Sequence, residues 1–236
     1  MTKKIVALWA SLLSLMILSG CASQVYNKEA LSQPNNRFAI VSFSGLTSGL
    51  GMNEQADEKM IAELDDIVYQ ELRHSKHFNL VRPAAVKASR SYALIKGEPT
   101  EGMYTPKVGK GYKKFDPKKE AEAVKKLMAE LKLSGIIQVR AYYGKKEKSV
   151  LVSGLLKLPG ISGGVANGHV TYSVVAYNNK AEVIWQDTVE ATTNDSTILV
   201  MGIANVGKLY PQLVDITQEA SRRALKNLDE KLASAQ

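Results

Sequence analysis

Apolar positions along this chain recur at two spacings, and the switches between them mark out the elements. Phe38-Ala-Ile-Val-Ser-Phe43 is an unbroken apolar run bounded by Asn36 and Gly45, which predicts a strand buried on both faces and central in a sheet. A glycine-rich turn over 44–51 leads to Asn53, a suitable N-cap, with Glu54 and Asp57 in the first turn of a helix. Ala56, Met60, Leu64, Ile67, Val68 and Leu72 then recur at helical spacing as far as Ser75. Phe78–Val81 reads as a short strand stopped by Pro83, and residues 84–96 read as one helix. Gly97 to Pro117 is broken repeatedly by glycine and proline and reads as a long loop, which in a small domain points to function or mobility.

Asp116-Pro117 signals the next helix, with an apolar stripe of Ala121, Val124, Leu127, Met128 and Leu131, closed by Gly135. Ile136–Tyr143 alternates as a strand with one wet face, and Ser149–Leu158 is a further candidate strand before the glycine-rich 159–168. His169–Tyr177 and Glu182–Thr192 alternate in period two around Asn178-Asn179-Lys180, a hairpin signal, with Val183 and Trp185 set against Tyr172 and Val174 on the buried side. A final helix over 211–232 carries Ile216, Ala220, Ala224, Leu225, Leu228 and Leu232. This order of strands and helices predicts an α/β fold, a mixed β-sheet with helices packed on it, in a single domain over 37–236.

The first residues belong to a different kind of segment. Lys3 and Lys4 precede an uncharged apolar run from Ile5 to Leu18, 14 residues long, short of the roughly 20 that a spanning helix needs. The pattern is that of a secretory signal peptide over 1–20. The break falls before the chain's one cysteine, and Leu18-Ser19-Gly20-Cys21 resembles the bacterial lipobox. The resemblance implies a chain cut before Cys21, multiply acylated there with palmitate among its acyl groups, and held firmly to a membrane. With Ala22 and Ser23 following and no aspartate, it further implies sorting to the outer membrane, facing the periplasm. Residues 21–36 are polar and aperiodic, and read as a lipidated, flexible tether.

Removal of the leader leaves 216 of 236 residues, enough for one ordinary domain. Cys21 is then committed to lipid and no disulfide is available, so the core alone must hold the fold. The formal charge of +8 falls to +6 without the leader's two lysines. That excess suits a membrane surface, peptidoglycan or an acidic protein patch, whereas export argues against nucleic acid as a partner.

Catalytic signals are weak. Gly45, Gly49 and Gly51 lie between a strand and a helix, but neither the phosphate-loop nor the dinucleotide pattern follows. His74 and His77 sit three apart without a completing ligand set, His169 stands alone, and Asp65 and Asp66 are adjacent and point apart. No serine occupies a nucleophile-elbow motif. No catalytic residue, metal or cofactor is expected, and the chain reads as not an enzyme. Two features point to contacts instead. Residues 103–115 interleave Tyr104, Tyr112 and Phe115 with Lys107, Lys110, Lys113 and Lys114, a composition suited to an anionic partner. The stretches 150–168 and 197–206 are apolar and glycine-rich, and Val150, Val152, Leu155, Leu156, Ile198, Leu199, Val200 and Met201 become candidates for membrane or oligomer contact.

The succession of an F-A-I-V-S-F strand, a long helix, an F-N-L-V-R strand, a helix ending Leu-Ser-Gly, a G-I-I-Q-V strand and a hairpin closing on Val-Ile-Trp-Gln resembles a group of periplasmic outer-membrane lipoproteins. That group contains the curli secretion channel subunit and the lipoprotein activators of penicillin-binding proteins. Lys180 stands where such chains often carry a hairpin-tip glycine, and 97–117 has no counterpart in them. The resemblance implies a lipid-anchored accessory protein that supports or regulates another envelope protein or peptidoglycan-associated machinery. Its alternative is an oligomeric secretion channel whose apolar stretches form hairpins in the wall.

Overall fold

A computed structural model describes residues 24–47, 54–98, 105–148, 163–200, 203–204 and 206–234. The element order is β1 (Val25–Tyr26), α1 (Lys28–Leu31), β2 (Arg37–Thr47), α2 (Glu54–Leu72), β3 (Asn79–Leu80), α3 (Pro83–Lys87), α4 (Arg90–Leu94), β4 (Lys107–Val108), α5 (Ala121–Leu131), β5 (Gly135–Lys148), β6 (Gly163–Tyr177), β7 (Val183–Val200), β8 (Ile203–Ala204) and α6 (Val206–Ser234). The fold class is α/β, as the order of the elements predicts.

One mixed sheet runs β1-β7-β6-β5-β2-β3, with β4 added to β2 and β8 to β7. The apolar run 38–43 lies inside β2, which pairs in parallel with β3 and β5, pairings that need crossover connections and not tight turns. β5, β6 and β7 continue antiparallel. At the 178–181 turn the Asn178 carboxamide oxygen accepts from the N–H groups of Lys180 (2.9 Å) and Glu182 (3.0 Å), so the turn signal acts through a side chain that imitates a backbone turn.

Each face of the sheet has its own core. On one, α2 and α6 lie side by side and bury Met60, Leu64, Val68, Leu213, Ala220 and Leu228 against Phe38, Ile40, Val139, Val174 and Trp185. Arg222 holds Glu71 through two 2.9 Å bonds across the helix pair. On the other, α3, α4 and α5 bring Val86, Tyr92, Val124 and Leu127 onto Ala39, Val41 and Ile136. No helix among the described residues is long and apolar enough to cross a membrane.

Several boundaries differ from those read in the sequence. The helix expected over 84–96 is two, because Ser89 leaves the helix and its hydroxyl caps Tyr92 N–H at 3.3 Å. Glu130 also accepts from the Ser91 and Arg90 N–H groups, and the Ser91 side chain first, then its N–H and the Ser89 side chain, hold the Glu130 carboxyl down at about 2. The helix signalled at Asp116-Pro117 begins only at Ala121, and Lys132, in the left-handed region at φ 54°, ends it rather than Gly135. Gly135 serves packing instead: an added Cβ would lie 2.3 Å from the Phe38 ring and 2.7 Å from the Tyr177 carbonyl oxygen. Gly135→Ala is therefore expected to lose about 1–3 kcal/mol, read as a lower urea midpoint at unchanged slope. α6 begins at Val206 and carries Pro211 inside it. The loop 97–117 contains a strand, β4, paired at Ser44↔Val108 and Gly45↔Lys107.

The largest difference is at the N-terminus. From Gln24 onward the expected tether is part of the domain. β1 pairs with β7 at Val25↔Gln186 and Tyr26↔Trp185, and Asn27 N–H donates to the Ile184 carbonyl at 2.8 Å. Asn27 then caps α1, whose Leu31 is fully buried, and the buried Asn36 amide donates to the carbonyls of Ala30 (3.1 Å) and Leu31 (3.0 Å). Gln24 Nε2 donates to the buried Asp187 at 3.0 Å, and Asn227 of α6 holds the other carboxylate oxygen at 2.8 Å. A polar sequence with one apolar anchor and well-placed amides is enough to dock.

Candidate partner-binding face

The basic, aromatic stretch near 105–115 is folded down onto the sheet. Gly109 N–H donates to the Phe43 carbonyl at 2.8 Å, and an added Cβ there would meet Phe43 and Asp65 at 3.0 Å. Lys87 is the centre of the attachment. Its Nζ lies 3.2 Å from Asp65 Oδ2, donates to the Lys110 carbonyl, and sits 3.9 Å above the Tyr112 ring. Tyr112 is buried, and burial first, then the Asp65 carboxylate, pushes its hydroxyl well above the ordinary tyrosine value. Asp65 is raised as well, by burial, against the opposing pull of Lys87.

The other candidates in this stretch have internal partners too. Lys113 Nζ donates to the carbonyls of Tyr92 (3.0 Å), Ala93 (3.1 Å) and Ile95 (2.6 Å), satisfying the C-terminal end of α4. Its backbone N–H donates to the Tyr92 hydroxyl, which donates onward to the Val41 carbonyl. Lys114 pairs with Glu98 at 2.9 Å and Lys107 with Glu58 at 3.5 Å, while Phe115 belongs to the second core. Lys110 is exposed. Tyr104 lies outside the described residues, as do Cys21, Val150, Val152, Leu155, Leu156 and Met201. Ile198, Leu199 and Val200 lie on β7, where the backbone pairs with β6 throughout and with β8 at Leu199 and Val200.

A surface the sequence did not single out lies beside this stretch. Helices α3, α4 and α5 cover β2, β3 and the start of β5, but not the same face further along β5, β6 and β7. The register sets side chains there in rows: Ser44, Arg140, Ser173 and Thr188 in one, Leu46, Tyr142, Thr171 and Glu190 in the next. Arg140 is exposed, and Tyr142 is 43% exposed. The Arg140 charge adds, after the hydrogen bond and charge of Lys114, to the pull that lowers the Glu98 carboxyl. A cleft of about 340 Å³ opens between Leu46, Pro106, Lys114, Arg140, Tyr142 and Ser173. Period-two alternation was the available signal, because Arg140 and Tyr142 fall on the wet side of the strand read at 136–143.

Further along, His169 Nδ1 lies 3.0 Å from Thr192 Oγ1, and burial, then the nearby Lys146, lowers its pKa. His77 pairs with Asp229 at 2.8 Å. Among the described residues no group of three or more His, Cys, Asp or Glu side chains could hold a metal ion.

The fold and this face define a class: an α/β domain with helices on both sides of a mixed sheet, and one polar part of a face that no described helix covers. Among solved structures the chain is similar to a hypothetical protein of Chlamydia trachomatis, at 12% identity and TM-score 0.40 over 85% of this chain and 99% of that one. It is also similar to the lipoprotein GNA1162 of Neisseria meningitidis, at 9% identity and TM-score 0.34 over 79% and 97%. A third is the LpoB C-terminal domain of Salmonella enterica, at 11% identity and TM-score 0.34 over 78% and 94%. No family model and no curated protein sequence matches the chain.

Proposed function

We propose that this is a lipid-anchored accessory protein of the bacterial envelope, without catalytic activity, whose open sheet face binds an acidic segment of another envelope protein. The observation that carries the reading is Arg140 beside Tyr142, an exposed guanidinium and a half-exposed ring on one strand, over a cleft that Lys114 also lines. A planar fork and an amphipathic ring are the side chains that anchor interfaces, and their strands hold them in place before binding. The lipobox at 18–21 supports the anchoring. A photocrosslinking residue at Tyr142 in growing cells is expected to give one discrete adduct, lost on Arg140→Glu while the melting temperature stays the same. An adduct that Arg140→Glu leaves unaltered, or none at all, counts against this face.

A second reading, a subunit of an oligomeric outer-membrane channel, is favoured by the length of the β5–β6–β7 ladder. β7 runs for 18 residues, with β6 pairing it to Val200 and β8 added at its end, whereas strands of compact domains rarely exceed about 10. The mass of the acylated protein in mild detergent separates the two. A monomer or dimer fits the accessory protein, and a closed ring fits the channel.

A further inference from the structure

We infer that the domain does not swing on a linker but is held flush against the lipid surface by its docked N-terminus, with the β7-edge flank turned to the membrane. The inference rests on the anchoring proposed above. Gln24 is fixed by the buried Asp187, and Asn227 locks Asp187 to α6. Val25 and Tyr26 are fixed by pairing, and Leu31 is fully buried. Only Ala22 and Ser23 stand between Gln24 and Cys21, and a three-residue step spans at most about 11 Å. A 16-residue free chain would range much further. β1 is antiparallel to β7, so read backward from Tyr26 to Val25 the chain runs along the edge in the direction of Glu190. There Arg223 of α6 donates to the Glu190 carbonyl at 3.0 Å, and Lys146 lies 3.8 Å from the Glu190 carboxylate. β3 is at the opposite edge, five strand spacings or about 24 Å away.

Cys21 is the chain's one cysteine. Once it is acylated, an introduced cysteine takes a dye at a single position. The acylated full-length protein carrying Glu190→Cys or Ala85→Cys would be reconstituted in phosphatidylethanolamine–phosphatidylglycerol vesicles with a headgroup-linked quencher. Quenching at Glu190→Cys is expected to exceed that at Ala85→Cys several-fold. An insertion of about twelve Gly-Ser residues between Ser23 and Gln24 is expected to abolish the difference. Equal quenching at both positions in protein that floats with the vesicles overturns the pose while leaving the anchor intact. So does a difference that the insertion leaves unchanged. Protein that does not float removes the anchor and the pose together.

Discussion

Lys87→Met is expected to lose about 3–5 kcal/mol of stability at neutral pH, because it leaves Asp65 as a buried carboxylate without its cation. Asp65 is 3% exposed, and Lys87 is its ion-pair partner at 3.2 Å. The same substitution removes the cation over Tyr112 and the bond to the Lys110 carbonyl, so 105–115 is expected to loosen from β2. The pH dependence has a definite sign. Burial raises the Asp65 pKa above 3.8 in the folded protein, so the native state binds a proton more readily than the unfolded chain. Asp65's contribution to stability therefore falls as pH rises from that ordinary value through the folded pKa. Without Lys87 the folded pKa moves higher still. The deficit of Lys87→Met relative to the parent is then expected to shrink on acidification and be largest at neutral pH and above. Urea midpoints at several pH values measure it. Asp65→Asn in the Lys87→Met background is expected to recover part of the neutral-pH loss and flatten its pH dependence. A deficit independent of pH would mean that lost packing, not the stranded carboxylate, is the cause.

Leu31→Ala is expected to cost about 2–5 kcal/mol, the range for truncating a fully buried leucine. Leu31 is the one fully buried apolar side chain of the segment that carries β1 and α1. If that segment were a tether, the substitution would be silent. The chain offers its own probe. Trp185, fully buried, pairs with Tyr26, and the chain's other tryptophan, Trp9, precedes Cys21, so emission from a chain that begins at Cys21 reports on the docking site alone. A red shift at denaturant concentrations where helical circular dichroism is still intact would show the segment opening before the body. Unchanged emission and midpoint would return residues 24–36 to the status of a linker.

Elements with many residues on one period were legible from the sequence. The run 38–43, the stripe Met60–Leu64–Val68–Leu72 and the hairpin around Asn178 fall where pattern and turn chemistry put them. Short elements were not. β1 has two residues and α1 four, too few to show a period, and their partners are the distant Ile184, Trp185 and Asp187. The lysines of 107–114 were visible as charge, but the sequence does not say that Lys113 terminates α4 or that Tyr112 lies under Lys87. A cation reads the same whether it meets solvent, a helix end or a buried carboxylate. The strand over 136–143 was read with one wet face, and Arg140 and Tyr142 lie on it. That no described helix covers them depends on where α5 ends, which sequence spacing does not give.

The pairing of the chain's beginning with its penultimate strand also constrains the order of assembly. Gln24 and Asp187 are 163 positions apart, so a chain emerging from its N-terminus exposes the first residue long before the second exists. Throughout that interval the residues of β1 have no strand to join. The contact that finally takes them in closes only when β7 has formed, which makes docking of the N-terminus a late step, and the acylation proposed for Cys21 would precede it instead of competing with it.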